Sequence, residues 1–382
     1  MFNHQSIARR HAIKLGLAGL LGMTTVTTTE AINRGRQTPL RSHPKRDFTV
    51  VGQASLKQRA AAKGLIFGAA TEQRILLTNT QFANTFVKDC GMLVAENDLK
   101  WFTIRSNPHI FDFTKGDWLA KFARTHGMLF RGTPLVWELG LPRWFKKKVN
   151  HKNAERFLVE HITKVAKHYA GIVHSWDVVN EAIAVSRSKR SDGLSRSPWL
   201  EFLGEGYIEL AFRTAAKADP KAMLVYNDRW LDYDTPVGNA QRAAVLKLLE
   251  RLKSKKIPVH ALGIQAHLKA RETRFNAEKM RGFLKDVASL GLKILITELD
   301  VQDEGLPADS MVRDRIIAAA YEDYLSVVLD EKAVIAVLTW GLSDRYTWLS
   351  RTSKRPLLYD SYFQRKLAWN AIARAFEQAP KR

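Results

Sequence analysis

Short apolar runs alternate with longer amphipathic stretches along this chain. Eight of the short runs have the length and composition of buried strands; they are residues 65–70, 92–96, 128–136, 173–179, 223–226, 261–266, 293–297 and 334–339. The stretches between them show helical periodicity, for example residues 154–169, 200–218, 240–253, 277–290 and 311–329. Strands that alternate with helices pair in parallel. Eight such units predict an α/β fold, a (β/α)8 TIM barrel that forms a single domain.

Two other architectures fit the pattern less well. A doubly wound nucleotide-binding sheet would carry a Gly-x-Gly-x-x-Gly turn after its first strand, and none follows residue 70. A chain of two domains would have a Pro-, Ser- or Gly-rich linker, and none interrupts the middle of the sequence. The 382 residues, 46% of them hydrophobic and 26% charged, have the composition of a globular protein.

The N-terminus has a different composition. Arg9 and Arg10 precede an apolar stretch, residues 15–23, that is too short to span a bilayer as a stable helix. This pattern resembles a twin-arginine export signal, and a basic amphipathic tail is the alternative. We therefore predict that residues 1–46 are an export signal with a linker and that residues 47–382 are the barrel domain. The mature protein is expected to be periplasmic or secreted, with no membrane attachment after removal of the signal.

The chain is strongly basic. Its formal net charge is +22, of which residues 1–46 contribute +7. Such a charge attracts polyanions in general. The basic residues are dispersed, however, and no helix-turn-helix or zinc-finger pattern accompanies them. We expect a solvated basic surface that favours acidic polysaccharides, a monomer, and no nucleic-acid partner.

The sequence lacks the motifs of several kinds of functional site. The single cysteine, Cys90, excludes an intrachain disulfide and a thiolate metal cluster, and is expected to be a buried apolar side chain. No His-x-x-x-His or His-Glu-x-x-His spacing is present, and no Gly-x-Ser-x-Gly elbow of a serine hydrolase. We predict neither a metal nor a cofactor.

Polar residues follow the predicted strands at the barrel edge where active sites of this fold form. Two of them are glutamates, Glu181 after the fourth strand and Glu298 after the seventh. A carboxylate at the end of a buried strand carries a desolvation cost that stability alone seldom justifies, although two salt-bridged carboxylates are the alternative. Two such carboxylates can split a glycosidic bond. A separation of about 5 to 5.5 Å gives retention of the anomeric configuration, and about 6.5 to 9.5 Å gives inversion.

Neighbouring residues distinguish the two glutamates. Gln265 and His267 lie two positions apart on the predicted sixth strand, so both side chains project to one side. The same spacing relates Glu298 to Asp300 on the seventh strand. Since adjacent strands lie about 4.8 Å apart, His267 can bridge Glu298 and Asp300, although a core histidine is the alternative. A carboxylate held in such a network stays ionised, which predicts Glu298 as the nucleophile and Glu181 as the general acid/base.

Six motifs follow one another in a fixed order after about residue 60. They are Glu-Asn-Asp-Leu-Lys-Trp at 96–101, Trp-Asp-Val-Val-Asn-Glu-Ala at 176–182, Gly-Ile-Gln-Ala-His at 263–267, Ile-Thr-Glu-Leu-Asp-Val at 296–301, Trp-Gly-Leu-Ser-Asp-Arg-Tyr-Thr-Trp-Leu at 340–349 and Pro-Leu-Leu-Tyr-Asp at 356–360. In this order they resemble glycoside hydrolase family 10, the barrel-fold endo-β-1,4-xylanases. The resemblance implies a retaining enzyme that hydrolyses internal bonds of xylan, or of a related β-1,4-linked polysaccharide, through a covalent glycosyl-enzyme intermediate.

The resemblance also implies roles for individual positions. Glu181 matches the acid/base and Glu298 the nucleophile, while Asn180 matches the residue that binds the 2-hydroxyl of the reacting sugar. Gln265 belongs to the sixth-strand motif and is expected to bind substrate. The remaining matches are polar ligands and aromatic walls for sugars on the non-reducing side: Glu96, Asn97, Lys100, Trp137, Trp340 and Trp348.

Three positions of the third-strand motif depart from the family. Thr133, Glu138 and Gly140 stand where the family usually has His, His and Gln, so hydrogen bonds to the sugar are expected to be lost. Two alternatives follow from these departures. Gly140 leaves room for the hydroxymethyl group of glucose, which favours the same mechanism on β-1,4-glucan or mixed oligosaccharides. The three changes together would also fit a carbohydrate-binding barrel with little activity.

Three smaller questions are open at this point. The spacing of Glu96 and Lys100 also fits an ion pair on a helix surface. Asn227 and Asp228 fit either substrate binding or capping of the segment that follows. Three other tryptophans are expected in the core or in loops: Trp144, Trp199 and Trp230.

Overall fold

The computed structural model describes residues 46–382, so residues 1–45 of the predicted export signal and linker lie outside the described residues. Its strands are β1 (Ile66–Thr71), β2 (Met92–Ala95), β3 (Leu129–Gly132), β4 (Val173–Asn180), β5 (Met223–Asp228), β6 (Ala261–Ile264), β7 (His267–Lys269), β8 (Lys293–Gln302) and β9 (Val334–Thr339). Eight of them form a closed parallel barrel in the order β1-β2-β3-β4-β5-β6-β8-β9, with β9 paired to β1. The short β7 pairs with the end of β8. The predicted (β/α)8 TIM barrel is confirmed.

Helices surround the barrel and fill the connections between its strands. They are α1 (Leu56–Ala61), α2 (Gln73–Thr78), α3 (Thr80–Asp89), α4 (Trp101–Ile104), α5 (Thr114–Thr125), α6 (Phe145–Lys148), α7 (Ala154–His168), α8 (Pro198–Leu203), α9 (Tyr207–Ala218), α10 (Pro236–Ser254), α11 (Ala277–Ser289), α12 (Ser310–Val328) and α13 (Leu367–Gln378), with 3-10 turns at Glu138–Gly140 and Asp344–Tyr346. Among residues 46–382, no helix combines the length and the apolar character needed to cross a membrane.

Local sequence signals fix several helix starts. The hydroxyl of Thr235 accepts a hydrogen bond of 2.9 Å from the amide of Gly238, and Pro236 occupies the first turn of α10. The predicted helix over residues 200–218 is wrong in one respect, because it is divided into α8 and α9. Gly204 ends α8 with a φ of 66° and a ψ of −171°, a combination that glycine adopts readily and residues with a Cβ do not.

Most strand ends differ from the prediction by one residue or more, and three of the differences shape the edge where polar residues collect. β3 ends at Gly132 rather than at residue 136, because Pro134 has no N–H to continue the ladder. β6 ends at Ile264 rather than at residue 266, where Ala266 turns the chain with a φ of 59°. β8 instead continues five residues beyond the prediction, to Gln302.

Apolar side chains form two layers because successive residues of a strand face opposite sides of the sheet. Leu93 and Ala95 of β2 pack in the large layer between the barrel and its helices. Met92 and Val94 of the same strand belong to a second, smaller cluster inside the barrel, which also contains Ala70, Val225, Ala261, Leu295, Ala336, Leu338 and Trp340. The inner cluster ends at Trp340, which lies at the edge that carries the polar residues.

Two buried groups need a separate account. Arg131 forms an ion pair with Asp177 inside the barrel and donates to the hydroxyl of Ser175 over 2.7 Å. Burial raises the pKa of Asp177 to about 6, although Arg131 and the hydroxyl of Thr133 oppose this. Cys90, which ends α3, is fully buried, and burial raises the pKa of its thiol.

Candidate active site

A cavity of about 390 Å³ opens at the carboxyl ends of the barrel strands. Most of the residues predicted to act on substrate line it: Lys100, Trp137, Asn180, Glu181, Gln265, His267, Glu298, Trp340 and Trp348. The other predicted residues, Glu96, Asn97 and Asp300, lie behind this lining and contact or neighbour it. The structure therefore brings side chains from six barrel strands and their loops into one site.

Glu298 is held by donors on both oxygens. The side-chain amide of Asn227 donates to its Oε1 over 2.8 Å, and Nε2 of His267 lies 3.2 Å from its Oε2. Nδ1 of His267 lies 3.1 Å from Oδ1 of the fully buried Asp300, which also accepts 2.8 Å from the indole N–H of Trp348. His267 thus bridges the two carboxylates that the sequence spacing placed beside it.

The charge of His267 follows from these contacts. Burial lowers the pKa of its imidazole, but the charges and hydrogen bonds of Asp300 and Glu298 outweigh burial and raise the pKa to about 10. At neutral pH the ring is therefore a cation that donates to Glu298 and forms an ion pair with Asp300. Glu298 therefore accepts from Asn227 on one oxygen and lies against the cationic ring on the other.

Glu181 has different partners. The amide of Gln265 donates to its Oε1 over 3.0 Å, and the guanidinium of Arg229 lies 3.0 Å from its Oε2. Its backbone has a φ of 56°, a left-handed conformation that costs a residue with a Cβ about 1–3 kcal/mol. The backbone N–H of Glu181 donates to the carbonyl of Asn227 over 2.9 Å, which secures this turn against the neighbouring strand.

Amide side chains connect the two glutamates. Gln265 reaches Glu181, and its amide also lies 3.3 Å from Oδ1 of Asn180. The same oxygen of Asn180 accepts 2.9 Å from Asn227, whose amide in turn donates to Glu298. The two carboxylates are therefore joined by a continuous hydrogen-bonded path at fixed relative positions.

The prediction that Gln265 and His267 lie on one strand, with both side chains on the same side of it, is wrong. The two residues do not lie on one strand, because β6 ends before Gln265 and β7 begins at His267. The left-handed Ala266 between them turns the chain. Both side chains still enter the cavity, Gln265 toward Glu181 and His267 toward Glu298.

On another wall of the cavity, the ammonium of Lys100 lies 5.0 Å from the ring centre of Trp137 and 5.6 Å from that of Trp340. It donates 2.8 Å to Asn97 and forms no ion pair with Glu96, so the surface ion pair considered for this spacing is wrong. Burial and the charge of Glu72 raise the pKa of Glu96 to about 8, against the opposing effect of Lys100. One cation between two indole rings presents a polar contact and two apolar faces together.

The three departures from the family lie on or near this wall. Thr133 is buried, lines the cavity and hydrogen-bonds Asp177 through its hydroxyl. Glu138 is exposed as a whole residue, but its carboxyl group is partly buried. This partial burial and the charge of Glu181 raise the pKa of Glu138. Gly140 is buried against Trp137, where an added Cβ would lie 3.3 Å from Cε3 of the indole.

Sequence reasoning missed Arg229 and left the roles of Asn227 and Asp228 open. Asn227 is a buried link to Glu298, and Asp228 accepts from Tyr226 and from Gln241, so neither caps α10, which begins after Thr235. Arg229 and Trp230 line the cavity, although Trp230 was expected only in a core or loop position. Their place directly after β5 was the available signal. Within residues 46–382, no group of three or more His, Cys, Asp or Glu side chains is arranged to hold a metal ion.

Comparisons with known proteins agree with this geometry. The model for glycosyl hydrolase family 10 matches residues 55–375. A β-1,4-xylanase of Dictyoglomus thermophilum is 33% identical over 306 residues, which cover 76% of this chain and 84% of that protein. Endo-1,4-β-xylanase A of Humicola insolens is 31% identical over 360 residues, which cover 88% and 89% of the two chains.

Solved structures give the same result. Native xylanase 10B from Thermotoga maritima superposes with a TM-score of 0.78 at 30% identity, over 85% of this chain and 98% of that one. Xylanase 10B from Thermotoga petrophila, in complex with xylobiose, superposes with a TM-score of 0.79 at 29% identity, over 86% and 99%.

Proposed function

This chain belongs to glycosyl hydrolase family 10, and we propose that it is a retaining endo-β-1,4-xylanase with Glu298 as nucleophile and Glu181 as general acid/base. The observation that carries this proposal is the hydrogen-bonded path from Glu181 through Gln265, Asn180 and Asn227 to Glu298. It holds two carboxylates at fixed positions in one cavity. Glycosyl transfer depends on fixed geometry of this kind.

In the first step, the carboxylate of Glu298 attacks the anomeric carbon while Glu181 gives its proton to the glycosidic oxygen. The bond to the leaving chain breaks, and a covalent glycosyl-enzyme forms. Asn227 and the cationic His267 contact the two oxygens of Glu298 and hold the attacking carboxylate in place. Asp300 balances the charge of His267 from the other side of the ring.

In the second step, Glu181 acts as a base. It accepts a proton from water, the water oxygen attacks the anomeric carbon, and Glu298 leaves as a carboxylate. Two inversions give net retention. Glu181 is ionised when this step begins, and the guanidinium of Arg229, 3.0 Å from its Oε2, stabilises that charge.

The wall formed by Lys100, Trp137 and Trp340 fits the sugar next to the reacting one on the non-reducing side. Indole faces cover the apolar side of a pyranose, and the ammonium donates to its hydroxyl groups. The xylobiose complex of the Thermotoga petrophila enzyme supports xylan as the substrate class.

The place of action and the state of assembly are also proposals. The Arg9-Arg10 motif and the apolar stretch that follows it support export by a twin-arginine route to the periplasm or the medium. One chain supplies both glutamates and the side chains that bind them, so the proposed mechanism needs no second chain, and a monomer is proposed as the active form.

Two variants test the assignment on xylan and on an aryl xylobioside with an activated leaving group. Glu298→Ala should lose about a thousandfold or more in kcat on both substrates, because the attacking group is gone. Glu181→Ala should lose about 10²- to 10⁴-fold on xylan but still release the activated aryl group. That release should appear as a burst of one equivalent, since the second step then lacks its base.

Glu278→Ala is the matched control, because Glu278 is exposed on α11 outside the cavity, and it should behave as the wild type. Undiminished turnover by Glu298→Ala would contradict the assignment of Glu298 as the nucleophile. Binding of xylo-oligosaccharides without any turnover by the wild type would instead favour the carbohydrate-binding barrel.

A further inference from the structure

A basic and aromatic patch lies beside Glu181. It consists of Arg187, Arg229 and Trp230, and is called here the arginine patch. The guanidinium carbons of Arg229 and Arg187 lie 4.3 Å and 5.7 Å from the ring centre of Trp230. Trp230 is 37% exposed and has a left-handed backbone with a φ of 61°. Trp230 also lines the cavity, and a half-exposed indole on a left-handed backbone at a cavity wall indicates a binding surface.

The contacts of Glu181 show on which side of the scissile bond this patch lies. Oε1 of Glu181 faces Gln265, which begins the path to Glu298. Oε2 faces Arg229, the neighbour of Trp230. The sugar attacked by Glu298 lies between the two glutamates, and the leaving sugar lies beyond the proton donor. The arginine patch is therefore on the leaving-group side.

The two arginines differ in their partners. Arg229 is paired with Glu181. Arg187 is exposed, and among residues 46–382 no carboxylate forms an ion pair with its guanidinium. Glu138 interacts with Arg187 only at longer range. An unpaired guanidinium over an exposed indole therefore faces the path of the leaving chain.

We propose that Arg187 binds the carboxylate of a uronic-acid branch on the leaving part of the xylan chain, while Trp230 packs against a sugar ring there. This inference rests on the proposed function. A guanidinium matches a carboxylate with two parallel hydrogen bonds, and the indole face supplies the apolar contact that a pyranose needs. Unbranched xylan has no anion to offer Arg187, so the patch distinguishes acidic from neutral chains.

The test compares two polymers that differ only in charge: a glucuronoxylan, and the same polymer after reduction of its carboxyl groups to alcohols. The quantity measured is the ratio of kcat/KM on the acidic polymer to kcat/KM on the reduced one. The wild type should give a ratio above one. Arg187→Gln should lower that ratio about fivefold, the size of a partly exposed charged contact.

Lys189→Gln is the matched control, because it removes the same charge from the same exposed loop without touching Trp230. It should keep the wild-type ratio. An unchanged ratio for Arg187→Gln, or an equal fall for Lys189→Gln, overturns the inference alone. A wild type that cleaves neither polymer overturns the proposed function together with the inference.

Discussion

The side-chain amide of Asn227 donates to Oε1 of Glu298 over 2.8 Å and is itself buried beside the backbone of Gly263. A Cβ at position 263 would lie 2.2 Å from Oδ1 of Asn227, which is closer than real contacts allow. The absence of a side chain at position 263 of β6 is therefore what lets Asn227 reach Glu298.

Gly263→Ala should lower kcat about tenfold to a hundredfold, because it displaces Asn227 and moves Glu298 out of line with the anomeric carbon. Steady-state kinetics on xylan, with circular dichroism to confirm folding, measures this effect. Gly282→Ala is the matched control, since a Cβ there meets nothing within 4 Å. It should stabilise α11 by about 0.5 to 1 kcal/mol, because alanine loses less conformational entropy than glycine in a helix. A folded Gly263→Ala enzyme with wild-type kcat would contradict the prediction.

His267 should make the stability of the barrel sensitive to alkaline pH. Its pKa of about 10 lies above the 6.5 of an ordinary histidine. The protonated ring therefore stabilises the folded state fully below pH 6.5, and this contribution is lost as the pH rises through 10. We expect the difference in unfolding free energy between the wild type and His267→Asn to shrink over this range, as measured by urea denaturation at each pH.

The control for His267 is His109→Asn, which removes an imidazole at an exposed position outside the cavity and gives the baseline. A difference for His267→Asn that stays constant from pH 6.5 to 10 would show that the ring is not held as a cation by Asp300 and Glu298.

Glu96 should also make the folded state less stable as the pH rises, over a lower pH interval. Because burial and Glu72 raise its pKa from 4.5 to about 8, the folded state becomes less stable as the pH rises through this interval. Glu96→Gln keeps the shape of the side chain without its charge. Its stability relative to the wild type should grow between pH 4.5 and 8 and then level off. Urea denaturation measures this, with Glu278→Gln on the surface of α11 as control; a flat difference would refute it.

Gly140→Gln tests whether the third-strand change admits glucose units. A side chain at this position would begin 3.3 Å from Cε3 of Trp137 and fill the space beside that wall. We expect the ratio of turnover on xylo-configured to cello-configured aryl glycosides to rise about tenfold, the usual cost of excluding a small group from a fitted pocket. Gly282→Gln should leave the ratio unchanged, and so should Gly140→Gln if that space holds no hydroxymethyl group.

The architecture and the two glutamates could be predicted because their signals are local. Alternating apolar runs mark each strand, and a carboxylate directly after an apolar run marks the active edge. The position of His267 between Glu298 and Asp300 also followed from spacing, even though the predicted strand is broken at Ala266.

The remaining features depend on tertiary structure. Glu181, Trp230 and Ala266 all adopt left-handed backbone conformations, which sequence propensities do not predict for Glu, Trp or Ala. Asn227 and Arg229 acquire their roles from partners on other strands, at sequence separations that no periodic pattern records. Local sequence reasoning located the strand ends that carry them but not the direction of their side chains.

Because Cys90 is fully buried, its reactivity reports on opening of the folded barrel. It is the single thiol of the chain, and its raised pKa and inaccessibility keep it unreactive while the barrel is closed. An alkylating reagent therefore reacts with Cys90 only in molecules whose unfolding has exposed the end of α3. The rate of Cys90 alkylation under native conditions would measure how often such openings occur, without any engineered cysteine or change to the active site.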